Sequence, residues 1–578
     1  MKRLGILLIL CLMGMASPLL AITLTIEVNG ISGPEKDNVL AYLKIDKEKT
    51  RPNLTPIRIR RLHAQATQEI RQALQPYGYY KVLVRASLIK DEENWIARYE
   101  IEPGPPVIIN NIDISIIGPA KEQDVIQTYL GKLPLKVGDR LEHASYEEIK
   151  KTLLLLAVQT GHLDAEYSQS SINVELKTNQ ADIILEMKSG PRYRFGPVTF
   201  QQDAYDEDFL FRYIKFQQGD PYEPAVLLKL QADLSNSGLF EQIDIEPQRA
   251  LSINDEVPIA IFLKESKPRK WSFGLGYGTD TGVRGNVRHN RRVGRRGHKI
   301  AANLLASEKI QSLLGTYIIP LKDPTSEEMA YTGRVSNELT ASRDSNIASL
   351  SASYTSMQHA WRRVMSLNYE YEDFTVAQQT DETFFLYPIV SWSRTWTDDR
   401  LFPTHGRRYY LEILGASNAV LSDATFLQGR ATGKWVHKLG AKNRLLTRAD
   451  FGATMIDNII ELPASKRFYA GGDTSIRGYS YEELGPLNSL GEVIGGKYLL
   501  VGSAELDHRL SDKWSVAAFY DVGNALNNFD NLSDQIAEGA GVGIRWHSPV
   551  GPVRVDFAWA LTEPYDGFRL HLVIGPDL

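Results

Sequence analysis

The feature that most constrains this chain is a change of hydrophobic periodicity near residue 267. Up to about Pro268, short β-rich runs alternate with helical patterns, whereas from Lys270 onward apolar residues recur at every second position. Two-residue alternation is typical of strands that have one apolar and one polar face. The two parts therefore need different architectures, and we place the second at 267–578.

Four segments of the second part show the alternation most clearly. Their apolar sets are Trp271, Phe273, Leu275 and Tyr277; Ala540, Val542, Ile544 and Trp546; Val553, Val555, Phe557 and Trp559; and Phe568, Leu570, Leu572 and Ile574. Small or charged residues lie between them, including Gly274, Gly276, Gly278, Arg569 and His571. At about 20 residues per strand and turn, this part predicts roughly 16 antiparallel strands.

A water-soluble antiparallel sandwich would alternate too, but with shorter strands and an outer polar face. Aromatic residues here lie near strand ends, at Trp271, Tyr277, Trp514, Tyr520, Trp546 and Trp559. Barrels carry such residues where their wall meets the two lipid interfaces. A sheet in lipid must also close, because an open edge would leave backbone groups unpaired. The pattern therefore favours an all-β transmembrane barrel.

The first part repeats one unit about every 80 residues. Helical spacing recurs at 62–74, 146–158 and 225–234, and each run leads to a glycine, in turn Gly78, Gly161 and Gly238. A glycine just after a helix can take the left-handed conformation that ends it. Gly104-Pro105 and Gly190-Pro191 mark the junctions between units. We predict three α+β repeats at 22–104, 105–189 and 190–266, chance similarity of β/α segments being the alternative.

The first 21 residues have the layout of a secretory signal peptide. Lys2 and Arg3 precede an apolar run that begins at Leu4 and ends near Ala21. We therefore predict a signal peptide over 1–21 and a mature chain that begins near Ile22, with an uncleaved anchor as the alternative.

Composition excludes several functional classes. Cys11 is the only cysteine, so a chain without the signal peptide has no disulfide. The formal net charge of −5 argues against a general nucleic-acid binder. The chain carries no HExxH, P-loop or GxSxG motif, and the Gly274-x-Gly276-x-Gly278 run has no following helix to bind a dinucleotide. We predict no cofactor, no metal and no enzymatic activity.

A basic segment surrounds two histidines near the start of the barrel part. It contains Arg288, His289, Arg291, Arg292, Arg295, Arg296 and His298. A metal site would need carboxylates, which this segment lacks. We predict a solvated loop or one that faces lipopolysaccharide.

Three motifs follow one another in the barrel part. They are Asp398-Asp399 with Pro403 and Gly406, Ile476-Arg477-Gly478-Tyr479, and Phe519-Tyr520-Asp521-Val522-Gly523. Together with the repeats, they resemble the BamA/TamA superfamily of outer-membrane assembly proteins. That family carries a [VIF]-R-G-[FY] signature and an arm of β-α-α-β-β POTRA domains, and three repeats resemble its TamA branch most. The resemblance implies the outer membrane of a Gram-negative bacterium, with the POTRA arm in the periplasm.

The resemblance also implies a function. Members insert or translocate β-barrel and autotransporter-type proteins, so the implied partners are unfolded clients, outer-membrane lipid and lipopolysaccharide, and a TamB-like inner-membrane-anchored protein bound through the arm. One alternative is a two-partner secretion pore, which should have a plug helix that we do not find in 22–55. Another is a barrel enzyme such as a lipase, for which no Ser/His/Asp arrangement is recognisable on a lumen face.

Two sets of residues are expected to carry the mechanism. In this family the loop with the arginine motif folds into the barrel, where the arginine pairs with the aspartate of the third motif, here Arg477 with Asp521. Alternation in the sequence independently places Asp521 and Glu505 on the lumen side of their strands. Arg477 as an ordinary solvated loop residue is the alternative.

The second set lies where the first strand should meet the last. Gly274, Gly276 and Gly278 leave the inner face of the first strand bare, and pairing with 568–574 is expected to close the barrel at a weak seam. An open seam could template a client strand, since strand edges pair readily with other strands. The alternative is that these glycines only give inward-packing loops room.

Overall fold

The computed structural model describes residues 23–51, 54–92, 94–280, 282–549, 551–562 and 567–574. The predicted signal peptide, 1–21, lies outside these residues. None of the described helices is both long and apolar enough to cross a membrane. The described residues form two compact units, one drawn from 23–199, 216–229 and 246–260, the other from 200–215, 230–245 and 261–574.

Three small sheets follow one another before the barrel, each with three strands and the last strand in the middle. The first repeat consists of β1 (Thr23–Asn29), α1 (Gly33–Tyr42), α2 (Lys44–Lys47), α3 (Pro56–Leu74), β2 (Leu83–Asp91) and β3 (Asn94–Glu102). The second consists of β4 (Ile108–Ile117), α4 (Asp124–Leu130), α5 (His143–Gln159), β5 (Glu166–Glu175) and β6 (Gln180–Lys188). The third consists of β7 (Arg194–Gln201), α6 (Glu207–Leu210), α7 (Pro224–Asn236), β8 (Phe240–Pro247) and β9 (Glu256–Glu265). The second and third repeats have the predicted β-α-α-β-β order, and the first has one further short helix, α2.

The first repeat shows why these elements form. Thr55 accepts a hydrogen bond from the Arg58 backbone and caps α3, which begins with a proline. Helix α3 buries Ile59 and Ile70 against the central strand, where Tyr99 is buried too. Its apolar residues recur at helical spacing, so one face covers the sheet while the other meets water.

Two helices of the first repeat lie in 22–55, the segment in which we found no plug helix. They are α1 and α2, which the spacing of apolar residues did not indicate. They bury Val39, Leu43 and Ile45 against α3, and these few apolar residues among polar ones give little periodic signal. Both helices belong to the core of the repeat, so they are not a separate plug segment.

The helix-ending glycines adopt the predicted left-handed backbone, with φ of +82° at Gly78, +91° at Gly161 and +65° at Gly238. The first two also join consecutive repeats. The Val107 backbone N–H donates to the Gly78 carbonyl at 2.8 Å, and the Tyr193 N–H donates to the Gly161 carbonyl at 2.9 Å. The two junctions within the first unit therefore use the same contact.

Space at these junctions also requires glycine. A Cβ at Gly78 would lie 2.6 Å from the Leu141 carbonyl oxygen, and a Cβ at Gly161 would lie 2.6 Å from that of Tyr222. Real Cβ atoms do not approach a backbone oxygen so closely. A larger residue at either glycine would force one of the two backbone segments to move. The repeated glycine thus ends a helix and lets the next repeat approach.

Within its described residues, the second part of the chain forms one antiparallel sheet of 16 strands in sequence order. The strands are β10 (Arg269–Gly278), β11 (Gly282–Val293), β12 (His298–Ser307), β13 (Ile310–Pro320), β14 (Glu327–Leu339), β15 (Arg343–Gln358), β16 (Trp361–Val376), β17 (Gln379–Thr397), β18 (Gly406–Ala416), β19 (Phe426–Leu439), β20 (Asn443–Met455), β21 (Tyr498–Arg509), β22 (Trp514–Leu526), β23 (Ala537–Ser548), β24 (Gly551–Ala560) and β25 (Phe568–Ile574). A short helix, α8 (Leu532–Gln535), lies between β22 and β23. The predicted number of strands is confirmed.

The two faces of this sheet are reversed relative to a water-soluble protein. Large apolar side chains lie outside, and Leu275 is 93% exposed. Charged side chains lie inside, where Asp521 is 0% and Arg545 1% exposed. Lipid around the wall and a polar lumen account for this distribution.

The barrel is nearly closed, but not by the strand pairing that we expected. Strands β10 and β25 contact each other, and the Leu572 N–H donates to Thr279 Oγ1 at 3.3 Å. Within the described residues no backbone ladder joins the two strands. Strand β25 is only seven residues long, and the glycines of β10 offer no inward side chains to pack against it.

The prediction for the basic segment holds only in part. Most of its residues lie in β11 and His298 begins β12, while the exposed Arg295 and Arg296 lie in the turn between the two strands. Arg292 donates to the Tyr205 hydroxyl and, at 2.7 Å, to the Leu239 carbonyl. Arg295 pairs with Asp206 at 2.9 Å. These arginines therefore bind the repeat that precedes the barrel, and charge alone could not reveal that partner.

The glycine junction gives a first prediction. Gly161→Ala should speed hydrogen exchange of the segments that carry Tyr193 and Tyr222 by about tenfold, because the new methyl group strains the junction by roughly 1 kcal/mol or more. Exchange followed by mass spectrometry on the full chain measures this.

Gly219→Ala is the matched control for that variant. Gly219 has a similar φ of +89°, but a Cβ there would meet no atom within 4 Å. Equal effects of the two variants would show that backbone strain alone acts and that the contact at the junction contributes nothing.

Candidate functional site

A long segment between β20 and β21, residues 456–497, lies against the inner wall of the barrel, and we call it the lumen loop. It contains two short 3-10 turns, Ile459–Glu461 and Ala464–Lys466. Its buried apolar residues form a cluster with the wall: Phe468, Ala470, Ile476, Tyr479 and Leu484 pack with Leu499, Val501, Ala525 and Ala537. The loop is therefore a packed element of the barrel interior.

Ion pairs hold one side of the loop to β15 and β16. Lys466 pairs with Glu370, and the Ser465 N–H donates to Glu372 at 3.0 Å. Further along the loop, Glu482 accepts from Arg343 Nε at 3.1 Å. The wall therefore fixes both sides of the segment that carries the arginine motif.

Arg477 makes the central contact of the site. Its Nε and Nη2 donate to the two carboxylate oxygens of Asp521 at 2.8 and 3.0 Å. Its backbone N–H also donates to Asp521, at 3.1 Å. The side chain of Asp521 is fully buried, so this bidentate pair is shielded from water. Two parallel N–H bonds from the planar guanidinium to one carboxylate fix the orientation of Arg477 as well as attracting it. The single ammonium group of a lysine would reproduce this poorly.

The pair belongs to a larger network. Arg477 Nη1 donates to Glu505 at 2.7 Å and to Asp556 at 3.1 Å. Arg545 of β23 donates to the same two carboxylates, at 2.7 Å to Glu505 and 2.5 Å to Asp556. Two arginines therefore bridge three carboxylates that come from β21, β22 and β24.

Close packing explains the remaining residues of the two motifs. The guanidinium carbon of Arg477 lies 3.4 Å from the ring centre of Phe519, where a cation is attracted to the aromatic face. At Gly523, which has φ of +146°, a Cβ would lie 2.0 Å from the Leu500 carbonyl oxygen. The ring and the glycine thus allow β22 to hold Asp521 against the loop.

The other residues of the arginine motif also touch the wall. Ile476 is buried, and the Tyr479 hydroxyl donates to the Glu538 carbonyl at 3.0 Å. Gly478 has φ of +102°, and a Cβ there would lie 2.8 Å from the backbone nitrogen of Ala560. Each of the four motif residues, 476–479, thus makes a contact with the barrel wall that depends on its residue type.

The acidic pair of the earliest motif builds a turn rather than part of the network. Asp398 accepts from the Thr404 N–H at 3.0 Å. Asp399 accepts from the N–H groups of Leu401 and Phe402 at 2.7 and 2.8 Å, and these bonds lower the pKa of the Asp399 carboxyl. The pair shapes the connection between β17 and β18.

The seam residues lie where the sequence placed them, on the two terminal strands of the sheet. Their outward side chains are exposed, namely Trp271, Phe568, Leu570 and Ile574, while Leu572 is half-buried. Gly276 faces the side chain of Arg284, with 2.9 Å between Arg284 Nε and a Cβ at that glycine, whereas Gly274 has no such crowding. Gly278 is buried at the end of β10.

Arg545 and Asp556 were missed in the sequence. Arg545 lies on the inward face of β23 and Asp556 on that of β24, and the other inward residues of both strands are mostly small. A charged residue among small ones on a lumen face could have marked each as a candidate site residue. The register of β23 against β24 places Asp556 opposite Gly543, two residues from Arg545. Register across strands is not readable from one sequence, so the pairing with Arg477 was not predictable.

Comparison with known proteins gives three family matches. The model of the Omp85 superfamily domain matches residues 296–577. A model described as POTRA domain TamA domain 1 matches 25–103, and a POTRA model described as surface antigen variable number repeat matches 193–266.

Two curated relatives bear the same name, outer membrane protein assembly factor BamA. The protein of Nitratidesulfovibrio vulgaris is 24% identical over 381 residues, 62% of this chain and 48% of its own length. That of Neisseria meningitidis serogroup B is 23% identical over 496 residues, 72% of this chain and 61% of its own length. The chain thus spans about half to three fifths of the length of these relatives.

A solved structure shares the fold. BamA from Haemophilus ducreyi lacking POTRA domains 1–3 has a TM-score of 0.67 at 16% identity, and the match covers 81% of this chain and 99% of that one. The POTRA repeats and the barrel place this protein in the Gram-negative outer membrane, with the repeats in the periplasm. The chain belongs to the Omp85 superfamily of POTRA-bearing outer-membrane barrels, which includes BamA and TamA.

Proposed function

We propose that this protein is an outer-membrane assembly factor of the TamA type, which inserts or translocates β-barrel and autotransporter-type proteins through a lateral seam. The observation that carries the proposal is the meeting of β10 and β25 without a backbone ladder among the described residues. Free N–H and C=O groups along two strand edges are a template for an incoming strand. Assembly then proceeds by strand addition, without nucleotide, metal or covalent chemistry.

The lumen loop has a defined part in this proposal. It is held by the Arg477 network on one side and by Lys466 and Arg343 on the other. Because these anchors lie on strands other than β10 and β25, the loop keeps its position when those two strands separate. The barrel interior therefore stays filled while a client strand pairs at the edge.

The proposal includes a TamB-like, inner-membrane-anchored partner bound by the first repeat. The match of 25–103 to the first POTRA domain of TamA supports this assignment. Strand β2 lies at the edge of its sheet and exposes Leu83 and Ile89. An edge with exposed apolar side chains can accept a further strand from a β-rich partner.

A disulfide across the seam should stop assembly. Thr279 contacts Leu572, and since neighbouring strands of the sheet run in opposite directions we expect Tyr277 to lie near Ile574. In a chain whose Cys11 is serine, Tyr277→Cys with Ile574→Cys should abolish insertion of an autotransporter β-domain when oxidised and restore it on reduction. Protease protection of the client measures the yield.

The control is a disulfide between two strands that already form a backbone ladder. Leu313 and Val335 are partners across β13 and β14, and both face outward. Cysteines at these two positions should leave insertion unchanged in either redox state. Full insertion by the oxidised seam pair would rule out the lateral route.

Removal of the central arginine should loosen the loop before it unfolds the barrel. In Arg477→Ala, Arg545 is the one arginine of the network left for three buried carboxylates. Breaking a buried ion pair in this way lowers the stability by about 3–5 kcal/mol. Arg477→Lys should lose most of the same stabilisation, since one ammonium group cannot replace the guanidinium fork. Protease cleavage within 456–497 and the rate of client insertion are the readouts.

Arg400→Ala serves as the comparison, because Arg400 is an exposed arginine in the turn between β17 and β18. It should behave like the unmodified chain in both assays. An Arg477→Ala protein with a protease-resistant loop and full insertion activity would mean that the ion pair has no functional role.

Photo-cross-linking tests the partner. A photoreactive residue at Ser87, exposed on β2, should capture the TamB-like protein in whole cells. The same residue at Ser170, exposed on the edge strand β5 of the second repeat, should not. Capture at Ser170 alone, or equal capture at both positions, would contradict binding through the first repeat.

A further inference from the structure

Three polar side chains from separate elements meet at one end of the seam. Asp473 comes from the lumen loop, His571 from β25, and Asp280 from the turn that follows β10. One nitrogen or oxygen atom of each lies within 4.8 Å of the others. The cluster thus connects the loop to both terminal strands.

Asp473 is hydrogen-bonded toward both strands at once. Its Oδ1 lies 2.5 Å from His571 Nδ1, and Thr279 Oγ1 donates to the same oxygen at 2.8 Å. Thr279 Oγ1 in turn accepts from the Leu572 N–H at 3.3 Å. A single carboxylate therefore links the end of β10 to the middle of β25.

The contacts of the histidine ring define its tautomer. The Gly478 N–H donates to His571 Nε2 at 3.0 Å, so Nε2 is an acceptor. In the neutral ring Nδ1 then carries the proton and donates it to Asp473. His571 is 1% exposed, and a charge-assisted bond shielded from water is among the stronger ones.

Asp280 adds a second carboxylate to the cluster. The Asp473 N–H donates to Asp280 Oδ2 at 2.7 Å. A Cβ at Gly472, where φ is +102°, would lie 2.6 Å from the same oxygen, so glycine is needed for this approach. Burial and the nearby charge of Asp473 raise the pKa of Asp280 to about 7.

The rest of the loop provides a fixed base for these bonds. Arg477 lies four residues beyond Asp473 and is held by three carboxylates. The two strands share no backbone ladder in the described ranges. Whatever holds β10 against β25 must then include the side-chain bonds that converge on Asp473.

We propose that Asp473 is a positioning residue that latches the first and last barrel strands to the lumen loop, and that its release lets the seam open. The inference rests on the proposed function, because a latch matters only if the seam admits clients. It adds the regulation of that seam, through a residue outside the arginine motif.

The latch gives the seam a pH dependence. Among the described residues, the titratable groups that act on the pKa of Asp280 are Asp473 from the loop and His571 from β25. A carboxyl whose pKa is raised in the closed state stabilises that state while protonated. Ionisation between its ordinary range and about pH 7 adds a second negative charge beside Asp473. The closed seam therefore loses stability as pH rises through this window.

Spin labels on the outer faces of the two strands measure opening directly. In a Cys11→Ser chain in lipid nanodiscs, labels at Leu275→Cys and Leu570→Cys should give one short distance at pH 5.5. Asp473→Asn should increase the population of a longer distance by about tenfold or more, as expected for loss of a charge-assisted bond. Raising the pH to 8.5 should increase that population in the unmodified chain, and less in the variant.

Glu492→Gln, an exposed acid in the same loop, is the matched control and should leave the distances unchanged. If Asp473→Asn also makes 456–497 sensitive to protease, Thr279→Val removes the hydroxyl that bonds Asp473 and the Leu572 N–H, keeps the bond between Asp473 and His571, and should still widen the distances. Unchanged distances in both variants would overturn the latch. A seam that opens as expected in variants with unaltered client insertion would instead count against the proposed function.

Discussion

The structure depends on burying charge inside a wall that must be apolar outside. Alternation lets each strand of the barrel meet lipid with one face and a polar lumen with the other. A buried charge without a partner costs several kcal/mol, and the network of Arg477, Arg545 and their carboxylates removes that cost. Only a loop that carries an arginine at this position can complete the network, so the loop is fixed in the lumen.

The fixed loop helps to hold two neighbouring strands together, as backbone ladders do elsewhere in the sheet. In the part of the chain that the structure describes, strands β11 to β24 are held by ladders on both sides, whereas β10 and β25 each have one ladder partner. The side chains of Thr279 and His571 connect these two strands to Asp473 instead. The stability of the seam is thereby tied to the position of the loop, and the position of the loop depends on Arg477.

The sequence predicted those parts of the fold that depend on local pattern. The alternation predicted the strands and the inward direction of Asp521 and Glu505, and the glycine spacing predicted the repeats. The sequence could not predict contacts that depend on strand register or on another domain. Asp556 joins Arg477 because of how β24 lies beside β23, and Arg292 binds Tyr205, which is 87 positions away. Helices α1 and α2 were missed because three buried residues make no clear period.

Hydrogen-bond energies show what a seam closed by side chains means for the proposed assembly function. A ladder along the seven residues of β25 would contribute about 7 kcal/mol at a net 1 kcal/mol per bond, leaving roughly one molecule in 10⁵ open. The three bonds around Asp473 and Thr279, two of them to a carboxylate, contribute about 4–7 kcal/mol. The open state then lies between about 10⁻⁵ and 10⁻³. Under the proposed function, the backbone bonds supplied by a client strand offset the cost of opening.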